Sequence, residues 1–433
     1  MKRIIALILA LCLVVTTFAA CGKEIDNPGN PNNPVNSGDQ QTPNVPNPGD
    51  GDQPPAPAVG ETWNGYDLTF VHDNGIEYIW NDLDDDTKQN LAAFMNAIKK
   101  VELTCQPPIP ISEDEAKEFY TLVYNCCTAY TYIGTRFSRV DIDGDGVKES
   151  IALPYNYQVI SKEEDCVNLF NELDAKLAEI VAGMPNGSEY EKIRYLHDYL
   201  IFNCTYGEDA NLPFTAYGAL VEKNATCQGY ADAMHLLLQR AGFETCFVIG
   251  RGDNPDVTHK WNYVHLSDGN WYVLDPTWAD PTARDDPAYI NYDYFLISDE
   301  ELMKDHIAKF DNDYYNGSYY YNIPVATSMD MSYHVIEGCY VSNYDEAYEA
   351  VKKQVAACGA EGRRYVYLRV TDEATYDNIR SRLLLKESQG GSGEMANILA
   401  ETGVSYTNWT VYRGHKDDFG PLTFVITLRN EDE

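Results

Sequence analysis

Cys227 stands where a helix is predicted to begin, and this placement constrains the fold more than any other feature of the chain. The residues that follow place apolar side chains at helical spacing, namely Ala231, Met234, Leu237 and Leu238. Thr226 is in position to cap this helix, and Gly242 follows its last turn. A thiol at a helix N-terminus faces the positive end of the helix dipole, which favours the thiolate form. The sequence therefore predicts a reactive sulfur at the start of a helix over 227–240.

A histidine and an aspartate follow this helix, each on a predicted strand. His259 begins a strand over 259–266, and Asp275 ends the next strand, over 271–275. A three-residue turn at 267–269, with its glycine left-handed, would make the two side chains diagonal neighbours on one face. A two-residue turn would send the carboxylate to the opposite face. We predict the three-residue turn, which lets the carboxylate orient the imidazole and stabilise its charged form.

These residues lie in three motifs that resemble the transglutaminase-like superfamily, a circularly rearranged relative of papain-type cysteine peptidases. The motifs are Cys-Gln-Gly-Tyr-Ala at 227–231, His-Lys-Trp-Asn at 259–262 and Asp-Pro-Thr-Trp at 275–278, in the family's order. The likeness extends over roughly residues 186–310. It implies that Cys227 is the nucleophile, His259 the base and acid, and Asp275 the orienting carboxylate. The superfamily contains cross-linking enzymes, peptidases, amidases and inactive members, so the resemblance leaves the reaction open.

Donors for an oxyanion are less clearly marked in the sequence. The backbone N–H of Cys227 lies in the first helical turn, where amides have no partner within the helix. Tyr206 and Tyr217 precede the nucleophile, and either hydroxyl group is a candidate second donor. Because the chain has 33 tyrosines, the competing interpretation is that both side chains only pack.

An acidic loop upstream carries part of a calcium-binding pattern. Its candidate ligands, at positions 1, 3, 5, 7 and 9 of such a loop, are Asp141, Asp143, Asp145, Val147 and Glu149. Position 12 holds Ala152 in place of glutamate, so the pattern is incomplete. A polar hairpin turn between two strands explains the same residues. We expect no required cofactor, with structural calcium as the candidate metal.

The N-terminus has the pattern of an exported bacterial lipoprotein. A charged pair precedes an apolar run, and Phe-Ala-Ala-Cys at 18–21 resembles a lipobox in which Cys21 is lipidated. Phenylalanine is less usual than leucine at the first of these positions, so a plain secretory cleavage or a retained anchor stays open. Residues 1–20 are predicted as a signal peptide, and 21–61, rich in Asn, Pro and Gly, as a disordered tether. We expect an exported protein anchored by lipid to the outer face of the bacterial cell membrane.

Three regions are predicted beyond the tether, and together they give an α+β fold. Residues 62–185 are predicted to be mainly helical. The helical pattern itself runs from Asp84 to Phe202, with capping boxes at Ser112 with Glu115, Ser161 with Glu164, and Ser188 with Glu191. Residues 186–325 are predicted to form a papain-like transglutaminase core. Residues 326–433 follow the order βαβαββ, which indicates a small α/β sandwich of ferredoxin-like type.

Composition excludes one class of partner and bears on the cysteines. With 32 basic and 67 acidic residues the net charge is −35, and such a surface repels nucleic acid. Of the 11 cysteines, Cys12 and Cys21 fall in the predicted signal, which leaves nine. Nine is odd, so at least one thiol stays free, and Cys227 is the natural candidate. Most of the others are predicted to be small buried hydrophobic side chains.

The expected function is acyl transfer at an amide bond, through a Cys-His-Asp triad and a thioacyl intermediate. Hydrolysis, as a peptidase or amidase, is favoured over cross-linking because water needs no groove for a second substrate. Peptides, proteins or cell-wall peptides are the expected substrates at that location. The alternative is a surface lipoprotein without turnover, which binds cell-wall or peptide ligands through the same scaffold.

Overall fold

The computed structural model describes residues 61–430, apart from 145, 158, 253, 255–256, 282–288, 309–319 and 414–421. All of the described residues belong to one compact unit, Pro54–Glu433. The predicted signal peptide, Cys21 and the tether up to residue 60 lie outside the described residues. Within the described part of the chain, no helix combines the length and the apolar composition that a membrane span needs.

The N-terminal region is mainly helical, as its sequence pattern predicts. Its elements are β1 (Thr62–Trp63), β2 (Tyr66–Asp67), α1 (Thr69–Asp73), α2 (Glu77–Asp82), α3 (Asp85–Lys99), β3 (Thr104–Cys105), α4 (Glu113–Cys126), β4 (Ser138–Val140), β5 (Ser150–Ala152), α5 (Glu163–Ala182) and α6 (Glu189–Asn203). The capping boxes that begin α4 and α6 are confirmed. The predicted partner at α5 is wrong, because Ser161 donates to Asp165 and not to Glu164. The helix begins one residue later than the pattern indicated, and this shift makes Asp165 its third residue.

The central region contains an antiparallel sheet and the predicted helix. Its elements are β6 (Thr205–Tyr206), β7 (Asn224–Ala225), α7 (Cys227–Arg240), β8 (Glu244–Arg251), β9 (Thr258–His265), β10 (Trp271–Leu274), α8 (Pro276–Ala279), β11 (Phe295–Ile297) and α9 (Asp299–Leu302). The sheet has the order β11-β10-β9-β8, and every neighbouring pair is antiparallel. The short strands β6 and β7 pair in parallel directly before α7. Helix α7 has the bounds that the sequence predicts.

Strand β9 holds α7 against one face of this sheet. Lys260 Nζ donates to Asp232 Oδ1 at 2.5 Å, and Asn262 Nδ2 donates to the carbonyl of Ala231 at 2.9 Å. The strand that carries His259 therefore also fixes the position of α7.

The hairpin between β9 and β10 has the predicted three-residue turn. The N–H of Leu266 donates to the carbonyl of Asn270, and Trp271 pairs with His265. Gly269 has a φ of 83°, the left-handed conformation that glycine adopts without strain. The register that brings His259 and Asp275 to one face is therefore confirmed.

The C-terminal region is a four-stranded sheet with helices. Its elements are α10 (Tyr333–Ile336), β12 (Tyr340–Val341), α11 (Tyr344–Glu361), β13 (Tyr365–Val370), α12 (Glu373–Ile379), α13 (Met395–Thr402), β14 (Asn408–Arg413) and β15 (Thr423–Arg429). The sheet order is β12-β13-β15-β14, with β12 and β13 parallel. This confirms the α+β class. Along the chain the order is strand, helix, strand, then helices, then two strands that form a hairpin. A ferredoxin-like fold has the different order βαββαβ. The ferredoxin-like assignment is wrong, because β14 and β15 are consecutive strands with no helix between them.

A buried polar cluster joins this sheet to the central region. The Arg369 guanidinium on β13 donates to Asp293 and Glu301, and Thr423 Oγ1 donates to Asp293 Oδ1 at 2.6 Å. Beside it the rings of Tyr292 and Tyr333 stack with centroids 3.8 Å apart. We call Asp293, Glu301, Arg369 and Thr423 the joint cluster.

Candidate active site

Cys227 is the first residue of α7, and its side chain is buried, at 9% exposure. Gly229, in the first turn of the helix, lets the chain at 213–215 approach closely. A Cβ at residue 229 would lie 2.8 Å from the carbonyl oxygen of Thr215, which is shorter than van der Waals contact allows. The predicted cap is only partly right, because Thr226 occupies the cap position but its hydroxyl group faces the carbonyl of Pro213. The first amides of α7 are therefore not capped by that side chain.

His259 and Asp275 form a close hydrogen bond. His259 Nε2 lies 2.5 Å from Asp275 Oδ2, and both side chains are buried. Because Nε2 faces the carboxylate, Nδ1 is the ring nitrogen on the far side of the imidazole. That nitrogen is the one available to exchange a proton with a sulfur or a substrate.

The Asp275 carboxylate is held by four donors. Its Oδ1 accepts the backbone N–H groups of Thr277 and Trp278, at 3.0 and 3.1 Å, because Asp275 is the N-cap of α8. Its Oδ2 faces two imidazoles, that of His259 and that of His306, the second at 3.1 Å. The carboxylate has no exposed surface.

His306 is a residue of this site that the sequence motifs did not identify. It follows α9, and the next residue pairs with Arg251 at the edge of β8 through two backbone hydrogen bonds of 2.8 and 2.9 Å. His306 Nδ1 lies 2.6 Å from Asp305 Oδ1. The pairing depends on tertiary structure, so no spacing in the sequence could have revealed it.

Burial and charge act in opposite directions at this carboxylate and at the second imidazole. Burial alone would raise the pKa of Asp275, but the charges and hydrogen bonds of His259 and His306 hold it well below its usual range. Burial alone would lower the pKa of His306, but the hydrogen bonds and charges of Asp275 and Asp305 raise it to about 9. Asp275 is therefore ionised at neutral pH, and His306 is charged.

The two tyrosines predicted as oxyanion donors have different surroundings. Tyr217 donates its hydroxyl to Glu172 Oε2 at 2.6 Å, so the prediction that it serves the oxyanion is wrong. Its hydroxyl lies against a carboxylate of α5, which provides a stronger acceptor than water. Tyr206 lies on β6, pairs with Ala225 two residues before the sulfur, and its ring lies 6.3 Å from that of Tyr230. Tyr206 and the backbone N–H of Cys227 remain predictions for this role.

The acidic loop forms the turn between β4 and β5, as the competing interpretation predicted. Asp141, Asp143 and Glu149 bring carboxylate oxygens within 4.8 Å of one another, and Val147 is exposed. Asp145 lies outside the described residues. Asp141 accepts the N–H groups of Gly144 and Gly146, at 2.6 and 2.8 Å. A polar turn accounts for these contacts, and calcium stays a prediction.

The remaining cysteines are buried thiols. All nine cysteines in the described residues are buried, and none of these nine forms a disulfide. For Cys105, Cys126 and Cys204 burial raises the pKa of the thiol, to about 12 in each case. Such thiols are protonated and inert at neutral pH, as predicted for packing side chains.

The fold and the site define a class of protein: an α+β fold with a cysteine at a helix N-terminus and a His–Asp pair on an antiparallel sheet. Residues 176–276 match the sequence model of the transglutaminase-like superfamily. That segment contains Cys227, His259 and Asp275. The segment that holds all three residues is therefore similar to the transglutaminase-like superfamily.

Solved structures resemble the chain only distantly. They include a TGase (16% identity, TM-score 0.24, covering 40% of this chain and 50% of that one) and the cysteine protease candidate from Cytophaga hutchinsonii (14%, 0.22, 33% and 61%). A third is the periplasmic domain of TgpA from Pseudomonas aeruginosa bound to ethylmercury (20%, 0.20, 25% and 44%). This chain thus spans about half the length of the structures it matches. No curated protein matches the chain.

Proposed function

We propose that this protein is a cysteine-dependent enzyme that transfers the acyl group of a peptide or protein amide, with Cys227, His259 and Asp275 as its triad. The observation that supports it best is the 2.5 Å contact between His259 Nε2 and Asp275 Oδ2. This contact orients the imidazole and leaves Nδ1 for proton transfer. A buried His–Asp pair beside a cysteine helix is the arrangement that activates a sulfur nucleophile.

In the proposed reaction the sulfur of Cys227 attacks the amide carbonyl carbon as a thiolate, and the carbonyl oxygen becomes an oxyanion. Backbone N–H groups of the first turn of α7 stabilise that oxyanion. The His259 imidazolium gives its proton to the leaving nitrogen, the C–N bond breaks, and a thioester remains on Cys227. An acceptor then attacks the thioester, His259 takes the acceptor's proton, and the thiolate leaves.

The acceptor decides the type of enzyme. Water gives a peptidase or amidase, whereas the amine of a lysine gives a cross-link. We favour water, because hydrolysis needs no groove for a second substrate. No organic cofactor takes part in these steps.

The proposed location follows from the sequence. An export signal and lipidation at Cys21 would place the enzyme on the outer face of the bacterial membrane, at the end of a tether. Cell-wall peptides, surface proteins and environmental peptides are the substrates within reach there. The net charge of −35 disfavours nucleic acid as a partner.

The first test measures whether Cys227 is an activated thiol. The native protein is treated with iodoacetamide at about pH 6, and alkylation of each cysteine is followed by mass spectrometry. An ordinary thiol has a pKa of about 8.5 and reacts slowly there, whereas a thiolate paired with an imidazolium reacts fast. We expect fast, selective labelling of Cys227 that is lost in His259→Ala. Labelling no faster than that of an ordinary thiol would contradict the proposal and favour a ligand-binding lipoprotein.

The second test identifies the acceptor. A library of peptides and cell-wall muropeptides is incubated with the wild type and with Cys227→Ser, and the products are read by mass spectrometry. Chain cleavage that depends on Cys227 means a peptidase. Loss of ammonia without cleavage means deamidation or amine transfer. Identical products from both proteins would contradict catalysis by Cys227.

A further inference from the structure

His306 is a buried histidine on the carboxylate of the proposed triad, and the proposed reaction gives it no role. Its Nε2 lies 3.1 Å from Asp275 Oδ2, the same oxygen that His259 contacts. Its Nδ1 lies 2.6 Å from Asp305 Oδ1. The imidazole has no exposed surface, so both of its nitrogens are committed to carboxylates.

The hydrogen bonds of His306 require its charged form. An ionised carboxylate only accepts hydrogen bonds, so each nitrogen that faces one has to carry a proton. A neutral imidazole has one N–H group and the imidazolium has two. The second carboxylate, that of Asp305, is held in turn by the hydroxyl of Tyr294, which donates to Oδ2 at 2.7 Å. The raised pKa of His306, at about 9, agrees with this geometry.

The backbone and two indole rings fix the imidazole of His306 in place. The His306 N–H donates to the carbonyl of Leu302 at 3.0 Å, and Ile307 is paired with β8. The ring packs against Trp278, with centroids 4.3 Å apart, and against Trp261, with centroids 5.3 Å apart. The charge of His306 therefore stays at one place relative to the triad.

The charge of His306 weakens the stabilisation that the Asp275 carboxylate gives to the protonated form of His259. The ring centroids of His306 and His259 are 5.4 Å apart, so a proton on His259 is repelled by a neighbouring cation. Around His306, among the described residues, the other ionisable groups are Asp275, Asp305, Tyr294 and Arg251, which lies on the paired strand edge.

We propose that His306 is a positioning residue of this site: as an imidazolium it holds the Asp275 carboxylate and limits how strongly that carboxylate favours a proton on His259. This inference rests on the proposed function. The charge also sets the pH range in which a thiolate and an imidazolium coexist, because a nearby cation lowers the pH at which each neighbouring group loses its proton. Removal of the His306 charge should therefore move the lower and the upper pH limit of this range to higher pH.

The test is the pH profile of Cys227 alkylation in the full-length protein, measured for the wild type, His306→Gln and Asp305→Asn. The wild-type profile should have two inflections, which belong to the coupled thiol–imidazole pair. His306→Gln removes the charge and should move both inflections upward, by about one pH unit. Asp305→Asn leaves His306 in place but removes one of the two carboxylates that raise its pKa, so the imidazole of His306 should titrate at a lower pH than in the wild type.

His334→Gln is the matched control, because His334 is equally buried but lies beside the joint cluster. This substitution should leave the profile unchanged.

Histidine NMR adds a direct measurement: the signal that is absent from His306→Gln should titrate near pH 9 in the wild type. A signal that titrates below about pH 7 would overturn the inference.

The outcomes separate this inference from the proposed function. If His306→Gln and Asp305→Asn lower stability but leave both inflections in place, His306 is only a packing residue and the inference fails. If the wild-type profile has the single inflection of an ordinary thiol, the proposed function itself fails.

His259, Asp275 and His306 also bring ligand atoms within 4.8 Å of one another. A profile that changes after treatment with EDTA would therefore indicate a metal centre and overturn the inference.

Discussion

His306 and His334 are two buried histidines beside aspartates, yet their surroundings drive their protonation in opposite directions. His306 lies between Asp275 and Asp305, and its pKa is raised to about 9 although burial alone would lower it. His334 Nε2 lies 3.8 Å from Asp293 Oδ1. Its pKa falls well below the ordinary value because it is buried and because the Arg369 guanidinium is close.

The difference shows that hydrogen-bonded carboxylates outweigh burial at His306, which faces two of them at 2.6 and 3.1 Å, whereas the aspartate beside His334 lies 3.8 Å away. At the joint cluster the Asp293 carboxylate is paired with a guanidinium, which keeps its proton at every accessible pH. At the site, Asp275 is shared by two imidazoles, and the pKa of one of them, His306, is raised to about 9. Sensitivity to pH above neutrality is therefore expected at the site and not at the joint cluster.

Asp275→Asn should have the largest effect, because it removes the charge that both imidazoles share. An amide in this position supports the wrong tautomer of His259, and comparable changes in triads lower rates by about 10⁴-fold. An ordinary thiol is a few per cent ionised at neutral pH, so we expect the alkylation rate of Cys227 there to fall by about 10- to 50-fold. Asp268→Asn, in the exposed turn of the same hairpin, should leave this rate unchanged. Near-normal reactivity in Asp275→Asn would mean that the carboxylate does not orient His259.

Arg369→Met should be the most destabilising change at the joint, since it leaves Asp293 and Glu301 without their shared cation. Removal of one partner from a buried ion pair costs about 3–5 kcal/mol, and urea unfolding measures this loss. Arg382→Met is the matched control. Arg382 also lies over a tyrosine ring, but about half of its side chain is exposed, so a loss below about 1 kcal/mol is expected. Equal losses from the two changes would mean that the joint cluster is not a stabilising contact.

The free energy of unfolding should depend on pH through His306. Its pKa is about 9 in the folded protein and about 6.5 in an unfolded chain. Its contribution is therefore fully present below about pH 6.5 and is lost as the pH rises to about 9. The loss should reach up to about 3 kcal/mol by chemical unfolding.

Two variants separate the buried histidines in this pH experiment. His306→Gln should flatten the decline above neutrality. His334→Gln should leave that decline in place and alter only the acid side, because a histidine with a lowered pKa loses stability as the pH falls below about 6.5. A decline that persists unchanged in His306→Gln would contradict the assignment of its charge.

Thr423→Val should have the smallest effect of the four, about 1–3 kcal/mol, because it removes one hydrogen bond to the Asp293 carboxylate. Thr427 lies on the same strand, and its buried hydroxyl has no hydrogen-bond partner among the described residues. Thr427→Val should therefore be neutral or slightly stabilising. If the two valine variants unfold at the same urea concentration, the hydroxyl of Thr423 does not support the joint cluster.

The sequence was sufficient to predict the elements around the site. Local signals determined them: a cysteine before an apolar helical pattern, two strands, and a turn whose glycine takes a positive φ. These signals act over a few residues, and the register between His259 and Asp275 follows from the turn alone. Helix α7 and the hairpin were accordingly predicted correctly.

What the sequence could not predict depends on contacts between distant segments. His306 reaches the site because Ile307 pairs with Arg251, more than fifty residues earlier in the chain. Tyr217 was open to two interpretations until Glu172 of α5 was found beside its hydroxyl. The C-terminal elements follow the predicted order βαβαββ, but the ferredoxin-like assignment is wrong, because the order of elements does not determine which strands pair.

The backbone pairing of Arg251 with Ile307 closes the intervening chain into a loop. This loop carries His259, Asp275 and His306. Cys227 lies outside that loop, on a helix that the loop contacts through Lys260 and Asn262. In the proposed mechanism, one part of the chain therefore holds the sulfur and another part holds the groups that transfer protons. Engineering can exploit this division: a different nucleophile could be installed at residue 227 while the part that transfers protons is kept whole.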